Sequence, residues 1–470
     1  MAQEHFDRLT ALDASFLEQE GPTSHMHVGA VATFQNPAPV FDDFLDTIRG
    51  RLHLVPRYRQ KLALPPMRTG RPVWVDDPNF NIEYHVRRTA LPPPGSQEQL
   101  LLLTSRLFSQ QLDRSKPLWE MWIIEGLEND SWALINKTHH AMIDGVSGVD
   151  LATVIFDLSP EGTKIDHPAE PWQAASEPGD RDLLASGALG IARTAIDSVR
   201  RATQIVSSPA AVFDQLRDGI EGVGEVAWAG LNAAPATPLN VEIGPHRRFR
   251  VVDAQLEDFK RIKNALGGTV NDAVLTVVSG ALRSWLQSRG VRTEGLELRA
   301  LVPVSIRPKD AHHEFGNQIA AMRGPLPVYI DDPIARLGMV RSSMDGLKES
   351  KQALGAEVIS GAQNFAPPTI LAQASRLNFS TRLFNLIVTN VPGPQFPLYV
   401  GGSRLVSIAP VAFLPKKHAL AIAIMSYDGS LSFGLLGDYD QMDDIDVLAD
   451  ALSDSIDELL ELSADAAAAQ

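Results

Sequence analysis

Hydrophobic and polar positions alternate from Trp132 to His140, which is the pattern of a β-strand with two different faces. One face carries the even-numbered positions, namely Trp132, Leu134, Asn136, Thr138 and His140. After Gly145 the period becomes helical, with positions in step at Val146, Val149, Thr153 and Phe156. The segment is therefore predicted to run strand, turn, helix, with two adjacent histidines, His139 and His140, at the end of the strand.

The same two periods place further elements along the chain. Strands are predicted at residues 28–34, 120–126, 248–253, 300–307, 384–389, 419–426 and 430–436. Helices are predicted at residues 41–52, 100–112, 256–266, 269–286 and 446–462. Because both halves mix strands with helices, the predicted fold class is α/β, with a mixed sheet layered against helices in each half.

A chain of 470 residues is too long to fold around one ordinary hydrophobic core, so two lobes are expected. We place the first lobe at residues 1–159 and the second at residues 246–470. Between them, residues 160–245 begin and end with proline-rich stretches that flank an apolar stripe at helical spacing. This middle segment is predicted to be a helical crossover that packs on protein, with contact to a lipid surface as the alternative.

Composition excludes several classes of function. The net charge of −15 argues against a nucleic-acid-binding protein and gives no electrostatic attraction to anionic lipid. The absence of cysteine excludes a thiol nucleophile, a disulfide framework and a cysteine zinc site. The charged N-terminus does not resemble a signal peptide, and no apolar run reaches the ~18 residues of a spanning helix. A cytoplasmic protein, soluble or peripheral to a membrane, is therefore expected.

The two histidines of the strand end are not expected to share one task, because adjacent strand residues point to opposite faces. His140 is followed four residues later by Asp144, which can meet it across a tight turn that ends at Gly145. A neutral imidazole titrates near pH ~6.5, which suits removal of a proton from a hydroxyl group. The alternative is a polar turn that closes the strand, with His140 as a buried structural histidine. The residues alone do not decide between these interpretations.

Several motifs together resemble a known family. The string from His139 to Gly145 matches the His-His-x-x-x-Asp-Gly signature of acyltransferases related to chloramphenicol acetyltransferase and to peptide-synthetase condensation domains. The neighbouring motifs narrow the resemblance; they are Leu9-Thr10-Ala11-Leu12-Asp13, Met26-His27-Val28-Gly29-Ala30, Pro117-Leu118-Trp119-Glu120, Val270-Asn271-Asp272-Ala273 and Thr389-Asn390-Val391-Pro392-Gly393-Pro394. In this order they resemble the bacterial wax ester synthase/diacylglycerol acyltransferases, particularly the actinobacterial triacylglycerol synthases.

The resemblance implies two chloramphenicol acetyltransferase-like lobes with a tunnel between them and an acyl-CoA-dependent O-acyltransferase activity. The implied substrates are a long-chain acyl-CoA and either diacylglycerol, giving triacylglycerol, or a long-chain alcohol, giving a wax ester. His140 would act as general base, and no covalent enzyme intermediate or metal would be needed. No cofactor is implied, because acyl-CoA is itself a substrate. Peripheral contact with a membrane or a lipid droplet is compatible with this function, and a nucleic-acid partner is not expected.

Further residues are candidates for support of the reaction. Thr389 and Asn390 precede a proline-rich turn and are candidates for hydrogen bonds to the oxyanion or the substrate, with a polar turn as the alternative. Asn271 is a weaker candidate of the same kind at a helix start. Thr269 and Asp272 have the spacing of a capping box, so we assign Asp272 to the cap. The Pro-Leu-Trp motif is expected to pack the entry of a strand.

Asp144 is expected to point back under its turn, as a scaffold for the loop of His140. A buried carboxylate is costly unless it is paired, and Arg307, at the end of a predicted strand, is the candidate partner. Related acyltransferases resemble this arrangement in placing an arginine against the motif aspartate. His139 is expected to act structurally. A direct hydrogen bond from Asp144 to the ring of His140 would instead indicate a proton relay.

A second hypothesis belongs to a different class of protein. A non-catalytic or condensation-type module of the same fold would bind acyl chains without transferring them to a free hydroxyl. The intact His140, Asp144 and Gly145 argue against an inactive relic. The sequence contains no carrier domain, which argues against peptide synthesis, and no Gly-x-Ser-x-Gly elbow, which disfavours a serine hydrolase.

Overall fold

The computed structural model describes residues 7–66, 70–142, 154–163, 170–179, 181, 183, 233–305, 319–349 and 379–468. The strands are β1 Asp7–Arg8, β2 His27–Gln35, β3 Gln60–Ala63, β4 Val73–Asp76, β5 Val86–Ala90, β6 Trp119–Leu127, β7 Ser131–His139, β8 Arg247–Gln255, β9 Leu298–Ser305, β10 Ile319–Leu326, β11 Leu386–Pro392, β12 Tyr399–Val400, β13 Ser403–Val411, β14 Leu420–Tyr427 and β15 Ser430–Asp438. The helices are α1 Ala11–Gln19, α2 Phe41–Arg51, α3 Ile82–His85, α4 Gln97–Phe108, α5 Leu256–Leu266, α6 Val270–Ser288, α7 Pro333–Glu349 and α8 Ile445–Ala468. The mixed α/β fold class predicted from the sequence is confirmed.

Two six-stranded sheets form the body of the described structure. The first sheet has the order β12-β13-β2-β7-β6-β5 and the second has the order β10-β9-β11-β14-β15-β8. A small third sheet, β1-β4-β3, lies within the first half of the chain. The first sheet is not built from the first half alone, because β12 and β13 come from residues 399–411 and β13 pairs with β2. This crossing strand was not predicted from the sequence.

The strand β13 lies where the two sheets approach each other. Its residue Pro410 pairs with Ala30 of the first sheet, and its carbonyl oxygen also lies against Gly434 of the second sheet. A Cβ atom added at Gly434 would sit 1.9 Å from that oxygen, so only glycine permits this approach. The face of the second sheet that carries Gly434 is therefore the face between the lobes.

Helices cover the opposite face of the second sheet. Phe259 of α5 packs on Phe433 of β15, with ring centroids 6.0 Å apart. The helix α6 is the most deeply buried of these, and its Trp285 is fully buried while its indole N–H donates to Asp444 at 3.1 Å. The two faces of this sheet therefore differ: one packs on helices and the other faces the first lobe.

Local sequence signals explain why the helices of the second lobe begin and end where they do. Helix α5 is followed by Gly267, whose φ of +88° favours glycine, and its end agrees with the helix predicted at residues 256–266. Thr269 caps the start of helix α6: its side chain accepts from the amide of Asp272, and the Asp272 carboxylate accepts from the amide of Thr269. The capping role predicted for Asp272 is confirmed.

Candidate active site

The strand β7 ends at His139, and a short 3₁₀ turn, His140–Met142, follows it. The amide of His139 donates to the carbonyl of Leu118 at 2.9 Å, and the amide of His140 donates to the carbonyl of Met26 at 2.9 Å. Leu118 belongs to the Pro-Leu-Trp motif and Met26 to the segment that enters β2. Both motifs therefore position the histidine turn through their backbone carbonyl groups.

Trp119, which follows Leu118 in the chain, is held in the core, so the Leu118 carbonyl that accepts from His139 is held in place. The Trp119 side chain is 1% exposed, its indole N–H donates to the carbonyl of Tyr58 at 2.8 Å, and it stacks on His85 with ring centroids 4.6 Å apart. These contacts lie within the core, in agreement with the packing role predicted for the Pro-Leu-Trp motif.

The His139 side chain is buried in a polar cluster. Its Nδ1 accepts a hydrogen bond from the amide of Ala141 at 3.0 Å, so the neutral ring carries its proton on Nε2. That Nε2 lies 3.6 Å from a carboxylate oxygen of Glu20, and Nε2 of His27 lies 3.4 Å from the other oxygen. Burial lowers the pKa of His139 and of His27, so both rings are neutral at pH 7.

Glu20 holds the negative charge of this cluster. Its side chain is 4% exposed, and Arg114 donates to it through Nε at 2.6 Å. Burial acts to raise the pKa of Glu20, but His139, His27 and Arg114 outweigh it and hold the pKa well below the usual range for a carboxyl group. The cluster therefore contains one carboxylate balanced by one guanidinium and solvated by two neutral imidazoles.

His140 has a different environment. Its ring stacks on Phe16 with centroids 4.0 Å apart and meets Phe413 edge-on at 5.4 Å. The residue is half-buried, and its Nδ1 has no hydrogen-bond partner within the described parts of the chain. Burial, aided by the neighbouring His139, lowers the pKa of His140 to about 4. At pH 7 the ring is therefore a neutral imidazole.

Aromatic residues from both halves of the chain enclose this imidazole. Phe16 comes from α1, Phe413 follows β13, and Phe379 precedes β11. The ring of Phe379 lies 5.7 Å from Phe16 and 5.9 Å from Phe413. Among the described residues, the surroundings of the ring are therefore aromatic and apolar, which suits an apolar ligand.

The structure brings together two of the predicted support residues. The amide Nδ2 of Asn390 donates to Oδ1 of Asn271 at 3.3 Å, which joins the end of β11 to the start of α6. Asn390 therefore faces the helix layer. Thr389 precedes it in the strand and points to the other face, between the lobes, because side chains alternate along a strand. Both Thr389 and Asn390 are half-buried.

The remaining predicted residues lie outside the part of the chain that the structure describes. They are Asp144, Gly145 and Arg307. The pairing of Asp144 with Arg307 and the scaffold role of the turn therefore stay predictions. Glu20, Arg114, Phe16 and Phe413, which surround the two histidines, were not singled out from the sequence.

Neither a metal site nor a single membrane-spanning helix is found among the described residues. Within the described ranges, no group of three or more histidine, aspartate or glutamate side chains is arranged to hold a metal ion. No single described helix is both long and apolar enough to cross a membrane, although α5 and α6, bent by 98° at their junction, pass that test as a pair.

Comparison with protein families gives two matches along the chain. The wax ester synthase/diacylglycerol acyltransferase catalytic domain matches residues 9–274, and the WS/DGAT C-terminal domain matches residues 315–460. The probable diacylglycerol O-acyltransferase tgs1 of Mycobacterium tuberculosis (strain ATCC 25618 / H37Rv) is 33% identical over 467 residues, covering 97% of this chain and 96% of that protein. The probable diacylglycerol O-acyltransferase tgs2 of the same strain is 34% identical over 441 residues, covering 92% and 94%.

Solved structures with the same fold include a wax ester synthase/diacylglycerol acyltransferase from Marinobacter aquaeolei VT8. It superposes with a TM-score of 0.68 at 26% identity, over 97% of this chain and 100% of that one. The first condensation domain of the calcium-dependent antibiotic synthetase superposes with a TM-score of 0.59 at 17% identity, over 98% and 97%. At that identity the second likeness concerns the fold alone.

Proposed function

The chain belongs to the wax ester synthase/diacylglycerol acyltransferase family, and on this premise we propose that it esterifies diacylglycerol to triacylglycerol with His140 as general base. The family resemblance predicted from the motifs is confirmed, and the acyl-CoA-dependent acyltransferase activity follows from it. The proposed base rests on one observation above others: the half-buried ring of His140 is neutral at pH 7 and lies among aromatic side chains, apart from the polar cluster around His139. A general base must be neutral before it can accept a proton.

The proposed reaction is a direct transfer. His140 takes the proton from the acceptor hydroxyl while the hydroxyl oxygen attacks the carbonyl carbon of the thioester. The tetrahedral intermediate then collapses, the C–S bond breaks, and the imidazolium returns the proton to the departing thiolate sulfur. The products are an ester and free CoA. The reaction requires no cofactor, because acyl-CoA is a substrate.

The negative charge on the carbonyl oxygen of the intermediate needs a hydrogen-bond donor. Thr389 is the proposed donor, because it points to the face between the lobes and precedes the fixed Pro392-Gly393-Pro394 turn. Asn390 and Asn271 bond each other and are proposed to hold the end of β11 in place behind Thr389. Asp144 and Arg307 are proposed to form the buried pair that supports the histidine turn.

A long-chain alcohol is the second proposed acceptor. The observation that favours it is the cluster of aromatic rings around His140, which Phe16, Phe379 and Phe413 form, since an apolar surround suits the chain of a plain alcohol. In both cases the enzyme is proposed to be cytoplasmic and to meet its lipid acceptor as a peripheral protein at a membrane or lipid-inclusion surface.

The test is an acyl-transfer assay with purified protein. Labelled palmitoyl-CoA is offered with dioleoylglycerol or with hexadecanol, and the lipid products are separated. Labelled triacylglycerol in the first reaction is the expected result, and labelled wax ester in the second would add the alcohol as an acceptor. Product from neither acceptor would contradict the proposal and favour a non-catalytic or condensation-type module.

A further inference from the structure

Arg247, the first residue of β8, joins the second sheet to the first half of the chain. Its guanidinium group donates from Nη2 to the carbonyl of Thr23, and its backbone amide donates to Oγ of Ser109, at the end of α4, at 2.9 Å. The residue is 3% exposed, and its guanidinium lies 3.8 Å from the carboxylate of Asp438. Burial lowers the pKa of Arg247 to about 10, so the side chain stays charged at pH 7. A buried cation of the second sheet therefore holds two segments of the first half.

Thr23 lies in the segment of residues 21–26, which connects α1 to β2 and is called the 21–26 segment below. Gly21 and Ser24 close this segment into a turn, since the amide of each donates to the carbonyl of the other, at 2.8 and 3.3 Å. The fully buried Ser24 also donates through its hydroxyl to the carbonyl of Leu414 at 2.8 Å. The second half of the chain therefore holds the 21–26 segment at two successive residues.

The 21–26 segment ends at Met26, which supports the histidine turn. The carbonyl of Met26 accepts a hydrogen bond from the amide of His140 at 2.9 Å. Met26 is fully buried and has a φ of +51°, a backbone conformation that residues with a side chain rarely adopt and that surrounding contacts must hold. Movement at Thr23 would therefore shift the carbonyl to which the backbone of His140 is bonded.

We propose that Arg247 is a positioning residue for the acyl transfer at His140. Its bond to Thr23 fixes the 21–26 segment, whose last carbonyl in turn fixes the backbone of His140. Its effect on turnover rests on the proposed function, in which His140 is the base. A base that is displaced by ~1 Å from its productive position can lose roughly 100-fold in rate, so a contact outside the reacting groups can govern turnover.

Arg336 of α7 offers a matched control for Arg247. It is also 3% exposed, and its guanidinium donates to the carbonyls of Ile330 at 3.1 Å and Asp331 at 2.7 Å. These bonds lie within the second half of the chain. Arg336→Met therefore removes a buried arginine with backbone acceptors, as Arg247→Met does, but leaves the 21–26 segment in place.

Hydrogen exchange tests the backbone link without any substrate. The full-length wild type and both variants are exchanged under conditions where urea denaturation shows them to be folded, and the peptide that contains His140 and Ala141 is followed by mass spectrometry. Arg247→Met is expected to speed exchange in this peptide roughly tenfold, because the acceptor of the His140 amide is no longer held in place. Arg336→Met should leave the exchange of this peptide as in the wild type.

Steady-state kinetics tests the consequence for the reaction. With palmitoyl-CoA and dioleoylglycerol, Arg247→Met is expected to lower kcat per folded molecule roughly tenfold or more, with a KM for palmitoyl-CoA within about threefold of the wild type. Arg247→Lys keeps the charge and a donor for the Thr23 carbonyl, so it should recover part of both the slow exchange and the kcat. Arg336→Met should lower stability while kcat per folded molecule stays at the wild-type value.

The outcomes separate this inference from the proposed function. Absence of product from the wild type would contradict the proposed function, and hydrogen exchange would still test the backbone link. Unchanged exchange in Arg247→Met, or equally fast exchange in Arg336→Met, would overturn the inference. Fast exchange with a wild-type kcat per folded molecule would also overturn the positioning role. If Arg247→Met does not fold, Arg247→Lys carries both measurements, and wild-type values in both would overturn the inference.

Discussion

The two sides of the strand end at His139 and His140 differ in chemical character. On the side of His139, the ring meets Glu20 and His27 in a sealed polar cluster, and the side chains of His139 and Glu20 are 1% and 4% exposed. On the side of His140, the ring meets Phe16 and Phe413 and remains half-buried. Phe16 and Glu20 lie one helical turn apart at the end of α1, so one short segment builds both environments.

The comparison teaches why only one of two adjacent histidines is suited to be a base. Both rings are neutral at pH 7, because burial lowers the pKa of each. The Nδ1 lone pair of His139, however, is already used by the amide of Ala141, and its Nε2 faces Glu20. The Nδ1 of His140 accepts no such hydrogen bond among the described residues, and its ring lies against Phe16 and Phe413. The two rings therefore differ in their contacts and not in their protonation state.

The largest effect is expected from His140→Ala. Loss of a general base typically lowers turnover ~10²–10⁴-fold, which corresponds to about 3–5 kcal/mol of activation free energy. The midpoint of thermal unfolding should change little, because the ring is half-buried and has no hydrogen-bond partner among the described residues at Nδ1. Steady-state kinetics with palmitoyl-CoA and dioleoylglycerol measures kcat. Near-normal turnover would remove His140 from its proposed role.

The next effect is expected on the polar side, from Glu20→Leu. This change leaves Arg114 and two buried imidazole N–H groups without their carboxylate, and breaking a buried pair costs about 3 kcal/mol or more. Urea denaturation measures the free energy of unfolding. The matched control is Glu18→Leu, which changes an exposed residue of the same helix and should alter that free energy by no more than about 0.5 kcal/mol. Equal effects of the two substitutions would mean that the buried cluster stabilises the fold no more than an exposed glutamate does.

A pH–rate profile separates the environment of His140 from that of an ordinary exposed histidine. With a pKa of about 4, the base stays neutral as the pH falls from 7 to 5.5, so kcat/KM should stay nearly constant. A base with the usual pKa of ~6.5 would be about nine-tenths protonated at pH 5.5 and would lose about tenfold in kcat/KM. A fall centred near pH 6.5 would contradict the apolar environment assigned to His140.

Two other buried histidines, away from the strand end, predict an acid limit to stability. His85 and His418 are buried with pKa values lowered to about 4, so the folded chain binds fewer protons than the unfolded chain below pH ~6.5. Their contribution to the free energy of unfolding is fully present above the unfolded pKa. It is lost as the pH falls from about 6.5 toward 4, by about 3 kcal/mol for each fully shifted histidine. Urea denaturation at pH 7 and at pH 5 measures the change in this free energy, and the pH profile of kcat/KM must be corrected for the unfolded fraction. Equal stability at the two pH values would contradict the prediction.

A smaller effect is expected from Phe413→Leu on the aromatic side. The edge contact with His140 would be lost while the pocket stays apolar, so the free energy of unfolding should fall by about 1 kcal/mol. Turnover should remain within a few fold, because desolvation of the imidazole persists. A loss of turnover comparable with that of His140→Ala would show that the aromatic ring itself, and not its apolar character, is required.

Local periodicity predicted the parts of the site that depend on neighbouring residues. The alternation in residues 132–140 predicted that the two histidines face opposite sides, and their separate contacts agree with it. The spacing of Thr269 and Asp272 predicted the helix cap. These predictions are successful because one strand or one helical turn contains all the groups involved.

Contacts between distant segments could not be predicted in this way. Glu20 meets Arg114 across 94 residues of sequence, and nothing in either segment specifies the other. The strand β13 contains a proline and only a short alternation, and its pairing with β2 follows from the closing of the first sheet across the molecule. The division into residues 1–159, 160–245 and 246–470 stays a prediction.

The most direct test of the different roles assigned to the two histidines is the turnover of His139→Ala, expressed per folded molecule. The folded fraction is measured by urea denaturation, and kcat is measured with palmitoyl-CoA and dioleoylglycerol. The predicted result is a lowered free energy of unfolding with a kcat per folded molecule within about threefold of the wild type, since His139 only supports the turn. A loss of kcat as large as that of His140→Ala, in protein that remains folded, would contradict the account.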